Sequence, residues 1–412
     1  MKLTIDDFNN YSIFELLKKI YDHGYQAFIV GGAVRDIILK KNISDFDVAT
    51  NANPEIVKSI FSNYKIREYG SKFGSVGVVF KEIYVEITTY RKENNYLDNR
   101  RPEEVEFVDD LYTDLSRRDF TINSLAFNPY YNDGEIVDYF GGINDINNKI
   151  VRTINNPYER FEEDGLRILR ALRFSSTLGF DIEENTNDAL KKCYKFCLKT
   201  SVERRAIELN KIINGDFFNK LSKDHKYILK SFLNIFKYEN SIERYSLLYQ
   251  KCGNPVEKFS VLYYLNRELL KSESSKLCIN KKDVSMCIKI FDIIDNVDFC
   301  DEVDIRLKTN LYKKENIKIA YKIKMLILGN NIDELFISKI FENICYFDDL
   351  VVSKKDVINL VNNKKYIKFV LDSVLEKVIK GEVKNSKQSI LNYIQNEINI
   401  DKINWFFYQN II

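Results

Sequence analysis

Over the first 140 positions, stretches with apolar residues three and four apart alternate with short runs rich in β-branched and aromatic residues. Those runs fall at residues 26–30, 45–48, 75–80, 84–88 and 136–138. Their interleaving with helical spacing predicts a mixed α/β region. The pattern changes after Gly141-Gly142. From Tyr158 nearly to the C-terminus, helical spacing continues with almost no strand signal, which predicts an all-α remainder. Punctuation at Asn214-Gly215-Asp216 and Cys252-Gly253-Asn254-Pro255 predicts boundaries inside the helical part. The expected divisions are 1–140, 141–215, 216–300 and 301–412. No fixed-period repeat is present, so a solenoid is not expected.

Composition narrows the classes. The 412 residues are 45% hydrophobic with 5 prolines, which is globular and argues against a disordered or collagenous chain. Lys and Arg number 62 against 60 Asp and Glu, a net charge of +2, so any nucleic-acid surface must be local. One such candidate is residues 306–324, where seven cations accompany Glu315; it reads either as a solvated helix face or as a track for an RNA backbone. No run approaches 18 apolar residues and the N-terminus lacks a signal-peptide pattern, so neither membrane insertion nor secretion is expected. Seven cysteines, an odd number without a CxxC, fit a reducing compartment, and the expected location is the cytoplasm. Cys193 and Cys197, four apart with no further ligand candidates, read as core packing rather than zinc. Only His23 and His225 are available, which excludes histidine-rich metal chemistry. Nothing in the sequence points to a protein partner.

Five constellations carry possible chemistry. The first is Gly31-Gly32-Ala33-Val34-Arg35-Asp36 after the strand-like Phe28-Ile29-Val30. Glycines between strand and helix let backbone N–H groups approach a phosphate, although the same pair also makes an ordinary tight turn. In Asp45-Phe46-Asp47-Val48 the period of a strand puts both carboxylates on one face. Such a pair repels unless a cation sits between, and hard oxygen donors suit Mg²⁺; an acidic edge strand is the other reading. Glu86, flanked by Val85 and Ile87, supplies a third carboxylate that a neighbouring strand could bring alongside. Arg117-Arg118-Asp119 with Asn123 offers fork-shaped donors for a triphosphate, or a solvated surface.

The fifth is the segment from Glu163 to Phe174. On one continuous helix Asp164 and Arg167 share a face, with Arg170 turned by about 60° more. A carboxylate acceptor beside a guanidinium donor matches the pairing edges of C and A, and uracil and guanine present the reverse order. Arg173, nine residues beyond Asp164, is turned by about 180° and is expected at phosphate or in packing. A salt-bridged exposed helix is the alternative. Gly165 would cost about 1 kcal/mol in mid-helix relative to alanine. Residues 91–101 are polar and unpatterned, which predicts a mobile loop.

Taken together, these motifs resemble the bacterial class II tRNA CCA-adding enzymes and poly(A) polymerases. Leu115 to Ser124 is similar to that family's second head motif, Glu163 to Phe174 to its nucleotide-selecting neck motif, and Ser201-Val202-Glu203-Arg204-Arg205-Ala206-Ile207-Glu208-Leu209 to the motif closing the neck. The resemblance spans the first half of the chain. It implies an α/β nucleotidyltransferase head of the polymerase β type, followed by an all-α neck, body and tRNA-binding tail. The implied activity is template-independent addition of C, C and A to tRNA from CTP and ATP, with pyrophosphate released. Asp45, Asp47 and Glu86 would be catalytic, with Mg²⁺ on Asp45 and Asp47. Gly32, Arg35, Arg118, Asp119, Asn123, Asp164, Arg167, Arg170 and Arg173 would bind the nucleotide. Rivals are a CC-adding or A-adding partial enzyme, a poly(A) polymerase and an inactive RNA-binding scaffold. The C-terminal run at 403–412 is apolar rather than the basic extension usual in poly(A) relatives, and the 91–101 segment resembles the loop of complete CCA-adding enzymes. His225 follows Asp224 in reversed order without a second histidine nearby, so no phosphohydrolase domain is expected.

Overall fold

A computed structural model describes residues 1–8, 11–43, 45–67, 74–97, 101–361 and 366–397. Ser44, the tip of the 91–101 segment at 98–100, and the C-terminal run 403–412 lie outside the described residues. The chain divides into two compact units, Met1–Glu239 with Ser272–Ile279, and Asn240–Lys271 with Asn280–Ile412.

The first unit opens with α1 (Ser12–Asp22), whose Ile13, Leu16, Leu17 and Ile20 form a buried stripe at helical spacing. There follow β1 (Ala27–Val30), α2 (Gly32–Ile38), β2 (Phe46–Thr50), α3 (Pro54–Ile60), β3 (Lys65–Arg67), β4 (Ser75–Phe80) and β5 (Ile83–Thr89). After a ribbon of β6 (Arg91–Leu97) and β7 (Arg101–Phe107) come α4 (Leu111–Ser116), β8 (Leu125–Phe127) and β9 (Val137–Asp138). Seven strands form one sheet in the order β3-β4-β5-β2-β1-β8-β9. Strand β1 is buried along its whole length, as a central strand covered on both faces must be. Strand β2 runs antiparallel to β1 but parallel to β5, so that Asp47 stands opposite Val30 on one side and Glu86 on the other.

Four expected strands recur within a residue or two of their predicted limits, and β4 matches both. The shorter β3 and β8, three residues each, carried too little pattern to be read. Residues 91–101 are not simply a loop: β6 and β7 pair antiparallel, with Arg91 opposite Phe107 and Leu97 opposite Arg101. The ladder is made by main-chain groups, so it forms without the apolar alternation on which the expectation of a loop rested.

Beyond the sheet lie α5 (Gly142–Asn147), β10 (Ile150–Val151), α6 (Pro157–Glu163), α7 (Leu166–Leu178), β11 (Asp181–Ile182), α8 (Glu184–Cys193) and α9 (Val202–Asn214). The region is helical apart from the short parallel pair of β10 with β11, which the all-α expectation did not include. Helix α7 packs on α9, and Ser176 Oγ donates to the Ile212 carbonyl at 2.6 Å.

The second unit has helices and no strand among its described residues. One of its cores gathers Val357, Val370, Val374 and Ile390. The cations at 306–324 are largely committed inside this unit. Arg306 donates to the Ile344 carbonyl, Lys314 to that of Phe341, Lys322 to Glu257 at 2.7 Å, and Lys324 to Ile294 and Val297. That stretch is neither a plain solvated face nor a row of open cations. Among the described residues, no helix is long and apolar enough to cross a membrane.

Candidate active site

At the end of β1 the chain turns through Gly31, whose φ of 71° favours glycine, into α2. A Cβ there would stand 3.3 Å from Arg118 Nη1, so the turn also lets that guanidinium lie across it. One turn into α2, buried Arg35 donates through Nε and Nη2 to Asp36 and through Nη1 to Asn123 Oδ1 at 2.6 Å. Arg118 commits a single hydrogen bond, to Asp114 at 3.1 Å, and its enclosed Nε has no partner among the described residues. Asp114, 1% exposed, also takes two bonds from Arg117. Burial opposes its charge, yet the two guanidinium groups hold its pKa below the usual range.

Strand β2 presents its carboxylates as its alternation predicted. Phe46 and Val48 are buried, and Asp45 and Asp47 are exposed into a cavity of about 650 Å³. The cavity walls raise the Asp47 pKa by desolvation; Arg118 opposes this, and the charges of Glu86 and Asp45 add to it. Glu86 does not line this cavity. It faces a smaller neighbour of about 270 Å³, which Asp47, Arg91, Arg117 and Arg118 also line. Among the described residues, no three acidic, Cys or His side chains are grouped closely enough to hold an ion unaided.

The far wall comes from the helices after the sheet and differs from expectation in three ways. Asp164 is not on a helix: it is extended at φ −141°, between α6 and α7, and its Oδ1 accepts from the Leu166 N–H. Its partner is Arg204, which donates to it at 2.7 Å, rather than Arg167. Second, Arg173 is not turned away. Because α7 begins at Leu166, counting nine helical residues from Asp164 does not apply, and Arg167, Arg170 and Arg173, spaced by three, all line the cavity. Third, Gly165 is not mid-helix but precedes α7, where a Cβ would lie 2.5 Å from the Phe196 carbonyl. The close approach of two backbones, not helix propensity, accounts for glycine there.

Arg167 is 7% exposed and spends three of its N–H groups on the Arg160 carbonyl, Glu163 and the Arg117 carbonyl. A guanidinium has five, so two remain for a ligand. Asp119 touches the cavity wall but is itself enclosed by the Phe120 N–H, Asn123 Nδ2 and Arg170 Nε. Burial alone would raise its pKa; the Arg170 charge and the Asn123 bond override that and bring it to about 2. A chain of polar contacts therefore runs Arg35–Asn123–Asp119–Arg170–Glu208–Arg173, with Phe174 among three of its guanidinium groups at 4.0 to 5.6 Å.

The structure thus collects eleven of the twelve expected site residues around one cavity and sets Glu86 just beside it. It adds residues to which the sequence reading gave no role: Arg204 and Lys211 in the wall, and Glu208 behind it. Their spacing of four and three along α9 was a visible signal, since such residues share a helix face.

The cavity's contributors also sort the chain among known proteins. Residues 27–152 match the family described as Poly A polymerase head domain, and residues 179–222 that described as Probable RNA and SrmB- binding site of polymerase A. The chain is 31% identical over 410 residues to the CCA-adding enzyme of Staphylococcus saprophyticus subsp. saprophyticus, with 94% of this chain and 99% of that protein covered. It is 34% identical over 414 residues to the CCA-adding enzyme of Staphylococcus aureus strain bovine RF122, at 94% and 99% coverage. The crystal structure of the Bacillus stearothermophilus CCA-adding enzyme in complex with CTP superposes with a TM-score of 0.74 at 28% identity, over 100% of both chains. Likeness that extends along nearly the whole length, and not over the head alone, places this chain in the family of CCA-adding enzymes.

Proposed function

We propose that this chain extends the 3′ end of tRNA by C, C and A, without a nucleic-acid template, taking CTP and ATP and releasing pyrophosphate. The observation that carries the reading is one cavity into which cationic triphosphate ligands from the head, Arg35 and Arg118, and the base-reading candidates Asp164 and Arg167 all open. In this reading residues 1–140 are the head, 141–215 the neck, 216–300 the body and 301–412 a tail that holds the tRNA. Seven free cysteines suit the cytoplasm, a reducing compartment.

Gly32, Arg35 and Arg118 hold the triphosphate, with the spare N–H groups of Arg118 directed to its oxygens. Asp164, fixed by Arg204, accepts from the exocyclic amine of C or A, and Arg167 donates to the adjacent ring nitrogen. Asp119 works indirectly by orienting Arg170 and Asn123, and Arg173 screens phosphate charge. The 3′-hydroxyl oxygen of the RNA bonds to the α-phosphorus, the bridging bond to the β-phosphate breaks, and the hydroxyl proton passes to Glu86. Asp45 and Asp47 fit a divalent ion, with Mg²⁺ the ion of choice: they are hard oxygen donors, and the Asp47 pKa is raised first by desolvation and then by the neighbouring charges of Glu86 and Asp45, which a cation would offset. Such an ion, when bound, polarises the phosphoryl oxygens and offsets their charge.

The test is tRNA ending at the discriminator base, given each nucleotide singly and then CTP with ATP, with the products sequenced. CCA ends support the reading. Efficient incorporation of GTP or UTP, or a long adenosine tract, overturns it. Asp45→Ala and Asp47→Ala should each reduce addition by more than about a thousandfold while tRNA affinity stays within twofold, as measured by filter binding.

A further inference from the structure

The smaller cavity has a floor that the nucleotide reading does not use. On β4 and β5, Ser75 stands opposite Thr88, and their hydroxyls bond to each other at 2.9 Å. Ser75 is buried at the cavity floor and Thr88 is half-buried beside it. The other strand hydroxyls nearby are spent differently: Thr50 donates to the Gln26 carbonyl and Thr89 to that of Ala52. The Ser75–Thr88 bond consumes one hydroxyl proton, so the pair retains one donor and several lone pairs among the described residues. Two apolar β-branched residues would pack as well in adjacent strands, so simple packing does not call for this pair.

Register places the pair with respect to the reacting atoms. Cross-strand partners share a sheet face, and so do residues two apart on one strand. Asp47 opposes Glu86, and Thr88 follows Glu86 by two, so the two carboxylates and the two hydroxyls occupy one face. The hydroxyls lie one strand repeat, about 7 Å, from Glu86. At about 270 Å³ this cavity is less than half the size of the one that accommodates the nucleotide, and Asp47, Arg91, Arg117 and Arg118 are common to both. A sugar seated here would enter from the Glu86 side, across Asp47 from the larger cavity.

We propose that the Ser75–Thr88 hydroxyl pair is the subsite for the terminal ribose of the RNA acceptor, hydrogen-bonding its 2′-hydroxyl and so directing the 3′-hydroxyl toward Asp47 and Glu86. The assignment rests on the nucleotidyl-transfer reading above. It makes Ser75 and Thr88 positioning and specificity residues that select an acceptor bearing a vicinal diol. The chemistry of the transfer is unchanged.

The experiment uses the full chain and two acceptors, tRNA ending in CC with either a ribose or a 2′-deoxyribose at the terminal position, both with a free 3′-hydroxyl. The unaltered protein is expected to prefer the ribose end about tenfold in kcat/KM, as one lost hydrogen bond implies. In Ser75→Ala/Thr88→Val the preference should fall below about twofold, with the KM for ATP held within about twofold. Thr88→Ser, which keeps the hydroxyl, should retain the preference; if the double variant melts early, Ser75→Ala alone carries the comparison. Equal use of both acceptors by the unaltered protein overturns the assignment, and so does an undiminished preference in the folded double variant. A change in the ATP to dATP ratio instead would mean that the pair reads the incoming nucleotide, which also overturns it. Failure of the unaltered protein to extend even the ribose-ended tRNA would defeat the underlying activity, an outcome separable from these.

Discussion

A Cβ on residue 165 would sit 2.5 Å from the Phe196 carbonyl carbon and oxygen and 2.7 Å from the Cys197 nitrogen. Neither is the movable end of a side chain, so Gly165→Ala must push two backbones apart. We expect a stability loss of about 1–3 kcal/mol in urea titrations. Asp164 is the preceding residue, so kcat/KM should fall for CTP and ATP together. His225 makes the second argument at this scale. Its Nε2 donates to Asn187 Oδ1 at 2.7 Å and its Nδ1 accepts from the Ser222 N–H, a pattern that only the neutral ring satisfies. Burial first, and then Lys191, lowers its pKa to about 4, with Asp224 opposing. Unfolded, the ring takes its proton near 6.5, so the unfolded chain binds the extra proton between those values. The contribution to stability is therefore complete above about pH 6.5 and is lost as pH falls toward 4, amounting to about 3 kcal/mol. Urea midpoints measured from pH 7 to pH 4 should fall less steeply in His225→Gln than in the unaltered chain; parallel curves would contradict this.

At the scale of elements, the β6–β7 ribbon carries Arg91 from its base into both cavities. C and A differ in how far their pairing edges lie from the ribose, so some part of the wall must adjust between the second and third additions. A variant lacking residues 94–99 should add both cytidines at a near-normal rate and stall before adenosine, and a product ladder would reveal it. Full CCA ends from this variant would remove the ribbon from the switch. The ribbon also marks what the sequence could not reveal. Strand β4 was legible as a run of Val and Phe, and β5 because Ile83, Val85 and Ile87 alternate with Tyr84, Glu86 and Thr88, whereas β6 opens on Arg, Lys, Glu and Asn and carries no such pattern. The break between α6 and α7, at Asp164-Gly165, was equally hidden because helical spacing is present on both sides of it, up to Phe161 and from Leu166. Asp164 before Gly165 was the available clue, because a carboxylate that caps a new helix start stands outside the helix. Arg204 escaped because its partner lies 40 residues upstream, a separation that periodicity cannot bridge.

At the scale of the molecule, a net charge of +2 conceals an uneven distribution. Nine cationic side chains line the larger cavity against five carboxylates, enough to hold a triphosphate. Cations of the second unit that looked available for RNA are instead tied to carbonyls and to Glu257. Lys322→Met with Lys324→Met should therefore lower the thermal midpoint while leaving the slope of log tRNA affinity against log salt unchanged within error. A slope reduced by one or more would show that these lysines reach phosphate.

Asp119 accepts from Asn123 and Arg170, and Arg170 in turn shares Glu208 with Arg173. Each charge in that series is counted against its neighbours within a largely buried wall, so exchanging any one of them alone strands another. Descent with modification would then have few single steps open to it here. Residues 88 positions apart, Arg35 and Asn123, and others 35 apart, Arg173 and Glu208, are in this way tied into one block. On the proposed reading, a change in nucleotide choice would have to arise at the margin of that block, at Asp164 and its partner Arg204, since Arg167 is itself tied to Arg160, Glu163 and Arg117.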